Sequence, residues 1–238
     1  LSIIIIAYNE ENYIGPCLEA ISHQTVPPDE VILVDNNSTD KTVKIARAYP
    51  FVRIMNEPEQ GMIPARDAGF NAAKGDLLAR IDADTRIPPD WTKKVHKALD
   101  TQAQTICGVS GPQYFYEVSH PLLRKLSSAI FSLFGYFGIS RLLLRHETLF
   151  GSNMIITRSA WNKVKHEVCH DGQKVHEDMD MAIHIGKYGS IIFDKELIVG
   201  TSARPLREGS KKIVWRFTTW ITTVTIHRKL FVGPANSR

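Results

Sequence analysis

The sequence predicts an α/β protein with a mostly parallel sheet and helices on both faces. Two observations predict it. Short β-branched runs alternate with helical stretches through the first hundred residues, the spacing of βαβ units. The runs are also apolar throughout rather than alternating, as strands covered on both faces must be. Ile3 to Ala7 form the first strand. A helix follows over 13–24, with Pro16 in its first turn, where a missing N–H does no harm. Residues 31–34 form the second strand, and Ser38, Thr39 and Asp40 supply capping side chains for a helix through residue 48. A third strand covers 52–55, a helix covers 64–74 and ends near Gly75, and a fourth strand covers 77–81. Beyond Trp91 the pattern loosens. Residues 106–116 and 149–157 read as strands, separated by a long apolar and basic insertion. Residues 177–188 read as a helix, 191–193 and 197–199 as short strands, and 210–230 as a closing helix. No repeat or low-complexity linker divides the chain, so 1–238 is expected to be a single domain.

With 238 residues, 43% of them hydrophobic and 23% charged, the chain has the composition of a folded protein with one sizeable core. Its net charge of +4 is small and its basic residues are scattered, which argues against nucleic-acid binding. It is compatible with phosphates or an anionic membrane surface. Three dispersed cysteines, Cys17, Cys107 and Cys169, do not make a disulfide framework, so a reducing, cytoplasmic setting is expected. Cys169, His170 and His176 lack a second ligand pair at zinc spacing. The opening Leu1-Ser2-Ile3 has neither a basic n-region nor a cleavage site, so no signal peptide is expected, although the abrupt start leaves room for an upstream leader.

In open parallel sheets, ligands sit beyond the carboxyl ends of the strands. Three such ends are polar here: Tyr8-Asn9-Glu10-Glu11, Asp35-Asn36-Asn37-Ser38 and Asp82-Ala83-Asp84. Each alone reads as a turn or cap; their convergence points to a ligand. Asp82 and Asp84 flank a small residue just after a buried strand. Two close carboxylates repel unless a cation or proton lies between them, and hard oxygen ligands suit Mn2+ or Mg2+. Arg66 follows a Gly-containing turn early in a helix, where backbone N–H groups already favour an anion.

These features, with 2–11, 30–40, 61–69 and His176-Glu177-Asp178 in order along the chain, resemble family 2 glycosyltransferases, inverting enzymes of the GT-A fold. The resemblance implies a nucleotide-sugar half over 1–100 and an acceptor half over 101–238. It implies that Ala7, Tyr8 and Glu10 line the base and ribose pocket, and that Asp35 accepts a hydrogen bond from the base imide, favouring a UDP-sugar, with GDP-mannose the other candidate. Arg66 would reach the base or the diphosphate. Asp84 would ligate Mn2+ or Mg2+ directly, with Asp82 on the ribose or the metal's water shell. Asp178 would be the general base, with Glu177 orienting it or the acceptor. Arg204 and Arg207 would form part of a lid, and Trp215 would stack on the acceptor.

The segment 122–144 has an apolar, aromatic centre flanked by Arg124, Lys125, Arg141 and Arg145. It is shorter than the roughly 20 apolar residues of a spanning helix. Basic flanks around such a centre suit an interfacial helix at the cytoplasmic face of a membrane and a lipid-linked or membrane-associated glycan acceptor; the other reading is a buried helix on the acceptor side. Rival functions fit less well. A sugar nucleotidyltransferase needs a Gly-rich phosphate loop after the first strand, and a dinucleotide oxidoreductase needs Gly-x-Gly-x-x-Gly. A non-catalytic sugar- or lipid-binding module would lack a metal acid or the base.

Overall fold

A computed structural model describes residues 1–99, 105–130, 137–172, 174–207 and 210–227, with the backbone alone at 205, 206 and 210–217. In chain order its elements are β1 (Ser2–Ala7), α1 (Ile14–Ser22), β2 (Glu30–Asp35), α2 (Thr42–Ala46), β3 (Val52–Asn56), α3 (Met62–Ala72), β4 (Leu77–Asp82) and α4 (Trp91–Leu99). There follow β5 (Ile106–Ser110), β6 (Gln113–Phe115), α5 (Pro121–Ala129), α6 (Phe137–Leu144), a 3-10 turn (Gly151–Asn153), β7 (Met154–Thr157) and α7 (Arg158–Val164). Then come α8 (Glu177–Gly186), β8 (Ser190–Phe193), β9 (Val199–Thr201), α9 (Arg204–Arg207) and α10 (Ser210–Ile226).

Seven strands form one sheet in the order β3-β2-β1-β4-β7-β5-β8, parallel except for the reversed β7. Along β1, side chains alternate between the two faces, as the pleat requires. Ile3 and Ile5 join the core under α1 and α4, with Leu18, Ile21, Trp91 and Val95. Ile4 joins the opposite core with Phe70 of α3, Trp161 of α7 and Ile185 of α8. Full burial of each isoleucine contributes about 1.5–3 kcal/mol. A Cβ at Gly69 would overlap Ile4, so glycine is what lets α3 lie close on the sheet.

Register places the site. Ala7 pairs with Asp35 and Ile6 with Asp82, which brings the carboxyl ends of β1, β2 and β4 to one edge. Because β7 runs the other way, with Met154 opposite Arg80, the turn before it reaches the same edge.

Several expected elements differ. The single strand over 106–116 is two strands in different sheets: the chain breaks at Gly111 and Pro112, and β6 pairs with β9. A Cβ at Gly111 would strike the Leu197 carbonyl, so the crossing requires glycine. The strand expected over 149–157 begins only at Met154, after the 3-10 turn. That over 197–199 is displaced to Val199–Thr201, because Leu197 closes a turn on the Asp194 carbonyl. Ser38 and Thr39 serve the β1 loop rather than α2, which starts at Thr42. Residues 228–230 of the closing helix lie outside the described residues. Within 122–144 the described residues form two helices, α5 and α6, and 131–136 lie outside the described residues. No α5 residue is buried.

Candidate active site

Arg80 forms the floor of the site. It stands inside the apolar strand β4, is 2% exposed, and carries its charge into a ring of acids. Its guanidinium donates to Asp178 Oδ1 (3.2 Å), to Asp82 Oδ1 (3.2 Å), to Met62 Sδ (3.0 Å) and, in a shorter contact, to Glu177. Burial opposes the charge, but Glu177, Asp82 and Asp178 together hold its pKa above the ordinary value. A Cβ at Gly151 would come within 2.8 Å of the guanidinium carbon, so only glycine lets the turn close over Arg80.

Asp178 opens α8 and is buried there. Its Oδ2 accepts the Gly151 N–H at 2.9 Å, while Oδ1 faces Arg80. Burial pushes its carboxyl up to about 7; Arg80 and the Gly151 amide oppose the rise, and Glu177 and Asp82 add to it. A carboxylate poised there can take a proton at neutral pH, as a general base must.

A second acidic cluster faces it. Arg204 bridges Glu10 and Asp84, at 2.9 Å to Glu10 Oε2 and 2.7 Å to Asp84 Oδ2, and lies 4.3 Å over the ring of Tyr13. Ser202 also donates to Asp84, and Ser152 to Asp82. The Glu10 carboxyl is raised by burial, against the Arg204 hydrogen bond, with Asp84 and Asp82 raising it further. The Arg204 guanidinium thus links Glu10 and Asp84, while Asp82 beside them pairs with Arg80 and Ser152. The all-oxygen chemistry of the three carboxylates fits a hard divalent ion such as Mn2+ or Mg2+, so the residues present could hold the metal.

The loops that follow β1 and β2 are stitched together. Asn9 takes a left-handed conformation (φ 55°), which asparagine tolerates. Its N–H donates to Ser38 Oγ (3.0 Å), and its Oδ1 accepts the Thr39 N–H (2.8 Å). The Glu10 N–H donates to Thr42 Oγ1 at 2.7 Å. Asp35 is buried and accepts the Ser38 N–H at 3.1 Å, and Tyr8 is half exposed at the rim.

The structure therefore brings Glu10, Asp82, Asp84, Asp178, Glu177 and Arg204 together, with Ala7, Tyr8 and Asp35 along the same edge. Arg66 is fully buried and committed to Asp67 (2.8 Å) and Glu177 (3.3 Å), facing the α8 acids. Arg207 is exposed and pairs with Glu117 (3.0 Å). Trp215 lies on α10, but its side chain is outside what is described. Sequence reasoning passed over Arg80, Gly151, Ser152 and Ser202. For Arg80 there was a signal: a lone charge within Leu77–Asp82, a strand otherwise covered on both faces.

A mostly parallel sheet with two acids at the end of β4 and a buried acid on a facing helix is the arrangement expected of a GT-A glycosyltransferase. Comparison with known proteins agrees: the description "Glycosyl transferase family 2" matches residues 2–164, and the chain belongs to that family. It is 40% identical over 101 residues to the glycosyltransferase AglE of Haloferax volcanii, an alignment covering 40% of this chain and 33% of AglE. The match thus spans about a third of the length of such curated relatives. In structure it is similar to the mannosyltransferase PcManGT of Pyrobaculum calidifontis, solved with GDP-Man and Mn2+ (TM-score 0.72, 20% identity, 99% of this chain and 65% of that one). It is also similar to glucosyl-3-phosphoglycerate synthase of Mycobacterium tuberculosis, solved with Mn2+, UDP and phosphoglyceric acid (TM-score 0.65, 19% identity, 99% and 79%).

Proposed function

We propose that the chain transfers a sugar from a nucleoside-diphosphate donor to an acceptor hydroxyl, inverting the anomeric centre, with Asp178 as the base. The observation that carries this reading is Asp178 itself, a buried carboxylate raised to about 7 beside Arg80 and Asp82. In the step proposed, Asp178 takes the acceptor O–H proton as that oxygen bonds to the anomeric carbon. The bond from that carbon to the diphosphate breaks on the opposite side, and the nucleoside diphosphate leaves. Held by Asp84 and Asp82, Mn2+ or Mg2+ would offset the charge that builds up as the diphosphate departs.

Within a single domain, 1–100 would bind the donor and 101–238 the acceptor. Ala7, Tyr8, Glu10 and Asp35 would frame the base and ribose. Asp35, accepting from an imide N–H, favours a UDP-sugar, as does the UDP in the glucosyl-3-phosphoglycerate synthase structure. GDP-mannose is the second reading, favoured by the mannosyltransferase complex. On donor entry Arg204 would exchange its carboxylates for the diphosphate, with Arg207 beside it in the lid. Arg66 would hold Glu177 in place to orient the acceptor, and Trp215 would stack on it.

Proton NMR of slow donor hydrolysis tests the stereochemistry without knowledge of the acceptor. An α-linked sugar nucleotide should release the β-anomer first. Initial release of the α-anomer would contradict inversion.

The acceptor side bears an apolar surface. Leu122, Leu123, Leu126 and Ile130 of α5 and its end, and Leu142 of α6, are 53–80% exposed. Among the described residues no helix is long and apolar enough to cross a membrane. Exposed leucines beside Arg124, Lys125, Arg141 and Arg145 support peripheral contact with an anionic cytoplasmic leaflet, and with it a lipid-linked or membrane-associated glycan acceptor. The protein should co-float with anionic liposomes, and Leu122→Asp with Leu126→Asp should lower the bound fraction. Failure of the unaltered protein to float would remove the membrane from this account.

A further inference from the structure

We propose that Asp180, His184 and His227 form a second metal site, a tetrahedral Zn2+ centre that clamps α10 onto α8. Asp180 and Asp178 are two residues apart on α8, about 200° around a helix of 3.6 residues per turn. Asp180 therefore faces away from the active site, and the metal inferred here is independent of the one at Asp84.

The three ligand atoms converge from α8 and from the residue that follows α10. His227 Nε2 lies 3.1 Å from Asp180 Oδ1, His184 Nε2 lies 3.6 Å from the same oxygen, and the two ring nitrogens are 3.2 Å apart. Around tetrahedral zinc, with bonds of about 2.0–2.1 Å, ligand atoms stand roughly 3.3–3.4 Å from one another. The observed edges match that triangle.

The bond that His227 Nδ1 makes on the outside leaves its inward Nε2 available as a ligand atom. His227 Nδ1 lies 2.8 Å from the Thr223 carbonyl, which can only accept, so Nδ1 carries the proton. His184 Nδ1 is turned outward between Glu167 Oε2 (3.4 Å), which accepts, and Lys187 Nζ (3.1 Å), which donates, so the partner it takes sets the tautomer, and a metal at Nε2 selects the bond to Glu167. A ring nitrogen bound to a carbonyl or carboxylate on the outside, with its partner nitrogen pointing inward, is the usual setting of a metal-bound histidine. The Cys169 N–H donates to Asp180 Oδ2 at 2.8 Å, whereas Oδ1 receives no hydrogen bond of acceptable geometry although two imidazoles lie beside it. Asp180 is fully buried, and both histidines nearly so. A buried carboxylate oxygen without a hydrogen bond is costly. A cation at the centre of the triangle resolves that cost for all three groups.

Imidazole with one carboxylate suits zinc better than the all-oxygen set of Glu10, Asp82 and Asp84 does. Cys169 is not among the ligands, since its thiol is directed to the Asp171 carbonyl. A fourth position is left for water. The centre would add to the contact between His176 N–H and Thr223 Oγ1 (2.7 Å), which already ties α10 to the start of α8. Its function is therefore to fix the helix that presents Asp178.

The test is metal analysis of the Asp84→Asn protein, in which the donor-side site is disabled. After incubation with Zn2+ and gel filtration it should retain about one equivalent, and saturating Zn2+ should raise Tm by about 5–10 °C. His227→Asn keeps a side-chain N–H for the Thr223 carbonyl but loses Nε2, and its uptake should fall below about one tenth. Replacing Zn2+ with Co2+ in the Asp84→Asn protein should give the intense visible bands of a tetrahedral centre, a readout that needs no further variant to fold. No retained metal, an octahedral cobalt spectrum, or full uptake by His227→Asn would overturn the proposal.

Discussion

Asp178→Asn is expected to lower kcat by about two to four orders of magnitude, the share a positioned general base contributes. The substitution keeps the shape of the side chain, and one amide oxygen can still accept the Gly151 N–H that now reaches Asp178 at 2.9 Å. What is lost is the ability to take a proton. Because the side chain faces Arg80 and the 3-10 turn rather than the loops after β1 and β2, affinity for the nucleotide should be nearly unchanged. A neutral amide is cheaper to bury than a carboxylate raised by burial, and Arg80 keeps Glu177 and Asp82 as partners, so the loss of the Arg80–Asp178 pair should lower Tm only slightly. Steady-state release of the nucleoside diphosphate, paired with equilibrium donor binding, separates these effects. A variant with full turnover would move the base elsewhere, Glu177 being the adjacent carboxylate.

The second large effect is expected at Arg80. Arg80→Met removes the cation shared by Glu177, Asp178 and Asp82 and leaves buried carboxylates uncompensated. Breaking a buried ion pair from one side costs about 3–5 kcal/mol, which for a chain of this size lowers Tm by roughly 6–20 °C. The pH profile should move as well. The base works ionised, so kcat/KM falls as pH drops through its pKa, with an acidic limb near 7 in the unaltered protein. Arg80 opposes the rise of Asp178, so its removal lifts that pKa further and shifts the limb to higher pH. Arg80→Lys should recover part of both effects. An unchanged Tm and an unchanged limb in Arg80→Met would show that the residue neither supports nor tunes the site.

Much of this site was legible because strand ends are local features. Val31 to Asp35 announces both a buried strand and the acid that ends it, and Asp82 with Asp84 does the same for β4. What the sequence hid depends on direction and on long-range approach. A four-residue strand, Met154–Thr157, with three apolar residues looks alike in either sense, so nothing marks β7 as reversed, and its reversal is what brings Gly151 and Ser152 to the active edge. Ser38 and Thr39 read as caps for their own helix, the nearest use for such side chains. They instead hold Asn9, 29 and 30 residues earlier in the chain. His184 lies one helical turn after Asp180, a spacing visible in the sequence, but His227 joins them only through the packing of α10.

The central claim is tested most directly by calorimetric titration of UDP and of GDP, each with and without Mn2+, into the protein and into Asp84→Ala. The account predicts that one nucleotide binds well only with Mn2+, with UDP favoured over GDP, and that the metal-dependent part disappears in Asp84→Ala. Binding of the same strength with and without Mn2+, or no binding of either nucleotide, would contradict a metal-dependent nucleotide-sugar site at the ends of β1, β2 and β4.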